Sequence, residues 1–176
     1  MLILVTGGSR SGKSGFALDL GQRSQAPRVF LATAQAQDEE MRQRIEAHRR
    51  SRPAGWRVVE EPRDLAGALR AALETACTVI VDCVTLWISN LIVEDEQFGE
   101  PQAAERAEEL AKIAIGTPSR VIVVTNEVGS GVVPDNPLAR RFRDCAGRAN
   151  QVLARKAHAV HFMVSGIALA LKTERK

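Results

Sequence analysis

Short β-branched runs alternate with stretches of helical spacing along the whole chain. Residues 2–5 (LILV) form an apolar strand, and from Lys13 onward Phe16, Ala17 and Leu20 recur at helix spacing. That helix fades near 22–24 and stops before Pro27. Residues 29–33 (VFLAT) read as a second strand, 56–60 (WRVVE) as a third, and 77–82 (CTVIVD) as a buried one, because the run is almost continuously apolar. Pro62 suits the first position of a helix whose Leu65, Leu69 and Leu73 share one face. A helix over 85–91 (TLWISNL) is followed by an acidic loop over 94–101 (EDEQFGEP) and an Ala/Glu-rich helix to about Ile115. Another buried strand covers 120–125 (RVIVVT), and a long basic helix with Leu138, Phe142, Ala149 and Leu153 follows Pro137. The chain then shows 159–164 (AVHFMV), a Ser165-Gly166 turn, and Ile167, Leu169 and Leu171 in alternation, as in an antiparallel edge strand returning from a hairpin. This order predicts a three-layer α/β fold: a mostly parallel sheet wrapped by helices on both faces, with a C-terminal antiparallel edge strand.

Composition changes this picture little. The 176 residues suit one domain spanning 1–176, on a prior of roughly 100–200 residues per domain. A net charge of +3, part of it from Lys172, Arg175 and Lys176, is too small to argue for nucleic acid as a partner. Cys77, Cys83 and Cys145 form neither a C-x-x-C pair nor an even framework, which points to a reducing compartment and away from structural zinc. No apolar run approaches the ~20 residues of a membrane span, and Met1 leads into a strand without a basic leader. The expectation is a cytoplasmic protein with no membrane span.

The candidate chemistry starts directly after the first strand. Gly7, Gly8, Ser9, Arg10, Ser11, Gly12, Lys13 and Ser14 meet G-x-x-x-x-G-K-[ST] at every fixed position, between a strand and a helix. Glycines let successive N–H groups turn inward into a nest, and the helix N-terminus adds partial positive charge. Lys13 would reach the β- and γ-phosphates, and Ser14 would offer its hydroxyl to Mg²⁺. This makes the fold P-loop NTPase-type.

Other residues fall where an open α/β sheet places its ligand crevice, beyond the carboxyl ends of strands. Thr33 and Gln35 follow the second strand, as crevice residues or as an ordinary strand-to-helix turn. Asp82 ends the buried strand in the manner of a Walker B carboxylate, holding Mg²⁺ opposite Ser14, or caps the next helix. Glu127 stands just past a strand, ahead of Gly129 and Gly131, able to serve metal, base or acceptor binding or to cap a turn. His48 lies at i+7 from Met41 and i+3 from Ile45 in a charged helix from 38 to Pro53. Periodicity makes it a partly buried histidine, while Arg49 and Arg52 beside an imidazole also suit phosphate handling. Arg140, Arg141, Arg143 and Arg148 on the basic helix suit a solvated or subunit-contacting face, or a phosphorylated acceptor.

The residues themselves support a nucleoside triphosphate, Mg²⁺, and phosphoryl transfer or hydrolysis. A regulatory GTPase would need N/T-K-x-D, and no lysine here is followed two places later by aspartate. The D-x-x-G pattern occurs at Asp64 and Asp144, but in helical stretches. A RecA-like ATPase stays open; a small-molecule kinase or nucleotidyltransferase fits a compact, nearly neutral chain better.

Four stretches carry a resemblance across essentially the whole chain: 7–14 (GGSRSGKS), 38–56 (DEEMRQRIEAHRRSRPAGW), 82–91 (DCVTLWISNL) and 125–151 (TNEVGSGVVPDNPLARRFRDCAGRANQ). The first is generic, but the second and fourth are long and specific. Together they resemble the bifunctional adenosylcobinamide kinase / adenosylcobinamide-phosphate guanylyltransferase family of cobalamin biosynthesis. Ser9 stands where alanine is common in that family, and 94–118 has no specific match.

The resemblance implies that His48 carries GMP covalently, which displaces the periodicity reading. It implies transfer of the γ-phosphate of ATP or GTP to the aminopropanol hydroxyl of adenosylcobinamide, and then guanylylation of adenosylcobinamide phosphate by GTP to give adenosylcobinamide-GDP. It places nucleotide contacts at the P-loop, at Thr33, Ala34 and Gln35, at Arg49, Arg50, Ser51 and Arg52, at Glu60 and at Asp82. Glu60 suits guanine, because a carboxylate accepts from N1–H and the exocyclic amine together. Family members are oligomeric, so the resemblance also implies a homo-oligomer, a trimer, with the basic helix partly interface.

Overall fold

A computed structural model describes residues 1–36, 39, 42, 43, 46 and 54–173. Among the described residues the elements follow in the order β1 (Leu2–Gly7), α1 (Lys13–Gln22), β2 (Arg28–Ala32), β3 (Trp56–Glu60), α2 (Leu65–Leu73), β4 (Thr78–Asp82), α3 (Val84–Glu94), α4 (Glu100–Ile115), β5 (Arg120–Val124), α5 (Pro137–Lys156), β6 (Ala159–Val164) and β7 (Ile167–Lys172). Glu39, Arg42, Gln43 and Glu46 are also helical.

The strands make one sheet in the order β3-β2-β4-β5-β1-β6-β7. Every neighbouring pair is parallel except β6 with β7. The expected edge strand is therefore present. Its Ile167, Leu169 and Leu171 are exposed.

Period-two alternation explains the layers, since successive side chains of a strand point to opposite faces. Leu2, Leu4, Val29, Leu31, Val79, Val81, Val121 and Val123 enter one core with apolar residues of α2, α3, α4 and α5. Ile3, Val5, Phe30, Ala32, Ile80, Ile122 and Val124 enter a second core on the other face, where α1 lies. Leu65 and Leu69 of α2 are fully buried, as the leucine spacing requires. Each inner strand is apolar at consecutive positions because both faces are covered.

Local capping moves two boundaries from the sequence reading and decides against one alternative left open for Asp82. Pro62 does not open α2; Asp64 caps it, its Oδ1 accepting from the Gly67 N–H at 3.0 Å. The residues just before are turned by Glu61, whose Oε1 accepts from the N–H groups of Arg63 and Asp64. The acidic loop shrinks to 95–99, because Glu100 and Pro101 already form the first turn of α4, where proline lacks only an N–H that would find no intrahelical partner. Asp82 does not cap α3, whose N-cap position is Cys83.

The register aligns the carboxyl ends of the parallel strands. Glu60 pairs with Ala32, Ala32 with Asp82, and Asp82 with Val124. Gly7 of β1 lies beside Met163 of β6. The candidate residues of four strands thus meet along one edge of the sheet, and β5 separates the strand that leads into the glycine-rich loop from the strand that ends in Asp82.

Candidate active site

The glycine-rich loop leaves the sheet at Gly7, which approaches β6 so closely that a Cβ there would lie 2.5 Å from the Met163 carbonyl oxygen and 3.0 Å from Ser11 Oγ. No side chain fits that space. The loop then crosses Gly8, Ser9 and Arg10, all exposed, and returns through buried Ser11 to Gly12, the N-cap of α1. Helix α1 has no side-chain cap and no acidic residue in its first turn, so its leading N–H groups keep their positive character for a ligand.

Lys13 is buried, and its Nζ donates to the Gly8 carbonyl and, at 3.4 Å, to Ser11 Oγ. The ammonium folds back over its own loop. Burial lowers its pKa below the ordinary lysine value, while the nearby Cys83 and Asp82 side chains act in the opposite direction. Asp82 therefore lies within the electrostatic reach of Lys13, the position next to Ser14. A hydroxyl and a carboxylate are hard oxygen donors, the type Mg²⁺ accepts together with phosphate oxygens and water. The donor set fits that ion. Among the described residues, no group of three or more His, Cys, Asp or Glu forms an all-protein metal cage.

Thr33 is fully buried, and its side chain is committed to the floor of the crevice. Its Oγ1 donates to the Cys83 carbonyl at 2.7 Å and accepts from the Cys83 N–H at 2.8 Å. Its N–H donates to the Asp82 carbonyl at 3.2 Å, and its own carbonyl accepts from Asn90 Nδ2 at 2.9 Å. Thr33 thus holds the backbone at Asp82 and Cys83 instead of facing the crevice. Ala34 and Gln35, the next two residues, are half-buried at the rim, and Glu60 is exposed at the end of β3. The Cys83 thiol, buried and beside Asp82, is pushed up to about 12, so it stays protonated and is no nucleophile near neutral pH.

The segment after β5 closes the other side. The Thr125 and Glu127 N–H groups donate to the carbonyls of Val5 and Gly7, both at 3.0 Å. Beneath it, Thr125 Oγ1 donates to Asn150 Oδ1 at 2.7 Å, and Asn150 Nδ2 donates to the Asn126 carbonyl at 3.0 Å. Thr85 Oγ1 accepts from the Asn126 N–H at 2.6 Å. Glu127 Oε1 accepts from the Gly129 N–H, the turn-capping alternative left open by the sequence. Thr85, Asn90, Thr125 and Asn150 were not singled out from sequence. Asn150 carried a signal, because it shares the buried face of α5 with Ala146, Ala149 and Leu153.

The arginines of α5 do not gather into one patch. Arg140 Nη1 donates to the carbonyls of Pro134 and Asp135, Arg141 Nη1 to that of Glu96, and Arg143 pairs with Asp144. Arg148 is exposed. His48, Arg49, Arg50, Ser51 and Arg52 lie outside the described residues.

The family described as CobU, cobinamide kinase / cobinamide phosphate guanyltransferase, matches residues 3–171. The chain is 44% identical over 172 residues to the bifunctional adenosylcobalamin biosynthesis protein CobP of Pseudomonas aeruginosa, covering 97% of each. It is 43% identical over 183 residues to the bifunctional adenosylcobalamin biosynthesis protein CobU of Escherichia coli, covering 98% of this chain and all of the relative. The protein of that name from Salmonella typhimurium matches to the same extent. Among solved structures, that of the RadB recombinase superposes with a TM-score of 0.53 at 18% identity, covering 92% of this chain and 73% of that one. That likeness is one of fold alone.

Proposed function

Because this chain belongs to the cobinamide kinase / cobinamide phosphate guanyltransferase family, we infer that it is a bifunctional adenosylcobinamide kinase and adenosylcobinamide-phosphate guanylyltransferase of cobalamin biosynthesis. The observation that carries this is the match to whole relatives, end to end, at more than two residues in five. Adenosylcobinamide, its phosphate, ATP and GTP are the substrates. The working unit is one P-loop NTPase-type domain over 1–176, acting in the cytoplasm as a homo-oligomer.

In this reading the nest at 7–14 fixes where the phosphates lie, for both reactions. The loop amides and Lys13 hold the phosphate oxygens and stabilise the charge that develops as a phosphoryl or nucleotidyl group departs. Ser14 and Asp82 would hold Mg²⁺, which when bound would supply neutralisation of phosphate charge. Thr33 keeps Asp82 in place, Ala34 and Gln35 line the rim, and Glu60 accepts hydrogen bonds from guanine.

For phosphorylation, the acceptor hydroxyl attacks the γ-phosphorus of ATP or GTP, losing its proton while the nucleoside diphosphate leaves. For guanylylation, neutral His48 attacks the α-phosphorus of GTP and pyrophosphate leaves; adenosylcobinamide phosphate then displaces the imidazole from GMP. Arg49, Arg50, Ser51 and Arg52 accompany His48 as phosphate ligands. Arginine suits that task through its forked donors.

Incubation with GTP and Mg²⁺ is expected to attach GMP to the protein through an acid-labile bond that His48→Ala abolishes. Labelling that survives the substitution overturns the role of His48. Mass spectrometry of products from adenosylcobinamide with ATP and GTP supplied separately tests whether both steps are present; a phosphorylated product without the GDP product leaves a kinase alone.

A further inference from the structure

Both ends of the glycine-rich loop are held from outside by N–H groups of distant segments. The Glu127 N–H donates to the Gly7 carbonyl, and the Gly166 N–H, from the turn between β6 and β7, donates to the Ser11 carbonyl, each at 3.0 Å. The same turn packs on the loop, with Gly166 Cα 3.3 Å from where a Cβ of Gly12 would stand. Neither the Gly7–Gly8 nor the Ser11–Gly12 peptide is cis. In a planar trans peptide the C=O and the following N–H point in opposite directions. Drawing the Ser11 carbonyl toward the hairpin therefore turns the Gly12 N–H away from it, and drawing the Gly7 carbonyl toward Glu127 turns the Gly8 N–H away from that segment.

We propose that Gly166 is a positioning residue for triphosphate binding: its N–H, by holding the Ser11 carbonyl, aims the Gly12 N–H into the phosphate nest. The inference rests on the phosphate-binding reading of the loop. It adds a residue far away in sequence, on a hairpin that no phosphate motif includes. Gly166 adopts a φ of 84°, and a Cβ there meets nothing within 4 Å. Any effect of a small side chain at this position therefore comes from the backbone and not from a clash. Asparagine tolerates positive φ where alanine does so poorly, so the two residues separate the conformational requirement from the addition of side-chain atoms.

The test is calorimetric binding of inorganic tripolyphosphate with Mg²⁺ to the full chain, followed by ATP and GTP. Gly166→Ala is expected to weaken tripolyphosphate, ATP and GTP alike, by about tenfold, on the scale of one hydrogen bond to a charged group. Gly166→Asn is expected to restore binding to near the wild-type level. A loss confined to thermal stability, with tripolyphosphate affinity unchanged in Gly166→Ala, overturns the proposal. If the wild-type chain itself fails to bind tripolyphosphate, the phosphate reading of the loop falls, a result distinct from failure of the hairpin's role. Should Gly166→Ala not fold, amide hydrogen exchange of wild-type Gly166 decides. Added protection when tripolyphosphate binds supports the proposal, and exchange at the rate of a free amide overturns it.

Discussion

Replacing Thr33 by valine removes one hydroxyl while keeping the shape of a fully buried side chain. That hydroxyl serves the Cys83 carbonyl and the Cys83 N–H, at 2.7 and 2.8 Å; the carbonyl also accepts from the Trp87 N–H at 3.2 Å, so the substitution strands one backbone group, the Cys83 N–H, in the interior. A buried donor left without a partner costs roughly 1–3 kcal/mol. Against a total stability of roughly 5–15 kcal/mol this is a large fraction. For a chain of this length each kcal/mol moves the melting temperature by about 2–4 °C, so Thr33→Val is expected to melt at least about 2 °C below the wild type. Thr33→Ser supplies the control, because it keeps the hydroxyl and loses a single methyl, about 1 kcal/mol. Thermal melts followed by circular dichroism give the comparison. The serine variant should be the more stable, although valine fills the volume better. A valine variant that melts with or above the wild type would show that the Thr33–Cys83 bonds contribute nothing.

Two further outcomes follow from the same region. Gly7→Ala places a Cβ 2.5 Å from the Met163 carbonyl at a φ of 148°, and is expected to lower stability by about 1–3 kcal/mol and to weaken nucleotide binding, measured by denaturant unfolding and calorimetry; an unchanged denaturation midpoint would refute the close approach. His161, packed edge-on against Phe16 at 5.1 Å between ring centroids, has its pKa lowered below 6.5 by burial. Above 6.5 it is neutral in both folded and unfolded states; as pH falls below that value the unfolded chain takes up the proton first, so stability declines. His161→Phe keeps an aromatic partner for Phe16 and is expected to flatten this acid limb in melts from neutral to mildly acidic pH. An acid limb of equal slope would assign the decline to other groups.

The fold was legible because its strands are covered on both faces. Runs such as 120–125, 77–82 and 2–5 have nowhere to sit except the middle of a sheet, and the alternation of Ile167, Leu169 and Leu171 marks β7, the antiparallel one of the two edge strands. The boundaries that differed turn on local capping. Asp64 outcompetes Pro62 as a helix start through one hydrogen bond to Gly67, which spacing does not reveal.

For the site, the glycine-rich loop announces itself through its own residues, since every fixed position lies within eight consecutive places. The floor beneath it does not. Thr33, Cys83 and Asn90 touch across 50 or more positions of chain, and nothing in a threonine's local context says whether its hydroxyl faces a ligand or a backbone. Asn90 and Asn150 are visible in hindsight as amides on apolar helix faces. Gly166 looked like an ordinary turn residue, because its importance lies in where the hairpin lands.

Of the seven strands, β1 is synthesised first, yet its partners β5 and β6 come late in the chain. Until Arg120–Val124 has been made, Leu2, Ile3, Leu4 and Val5 have no strand beside them on either side, and they pass through synthesis as an unpaired apolar segment of the kind that chaperones cover. A topology so dominated by contacts distant in sequence folds slowly. The glycine-rich loop, encoded near the start, is thus buttressed by the hairpin encoded last, whose Gly166 N–H holds the Ser11 carbonyl.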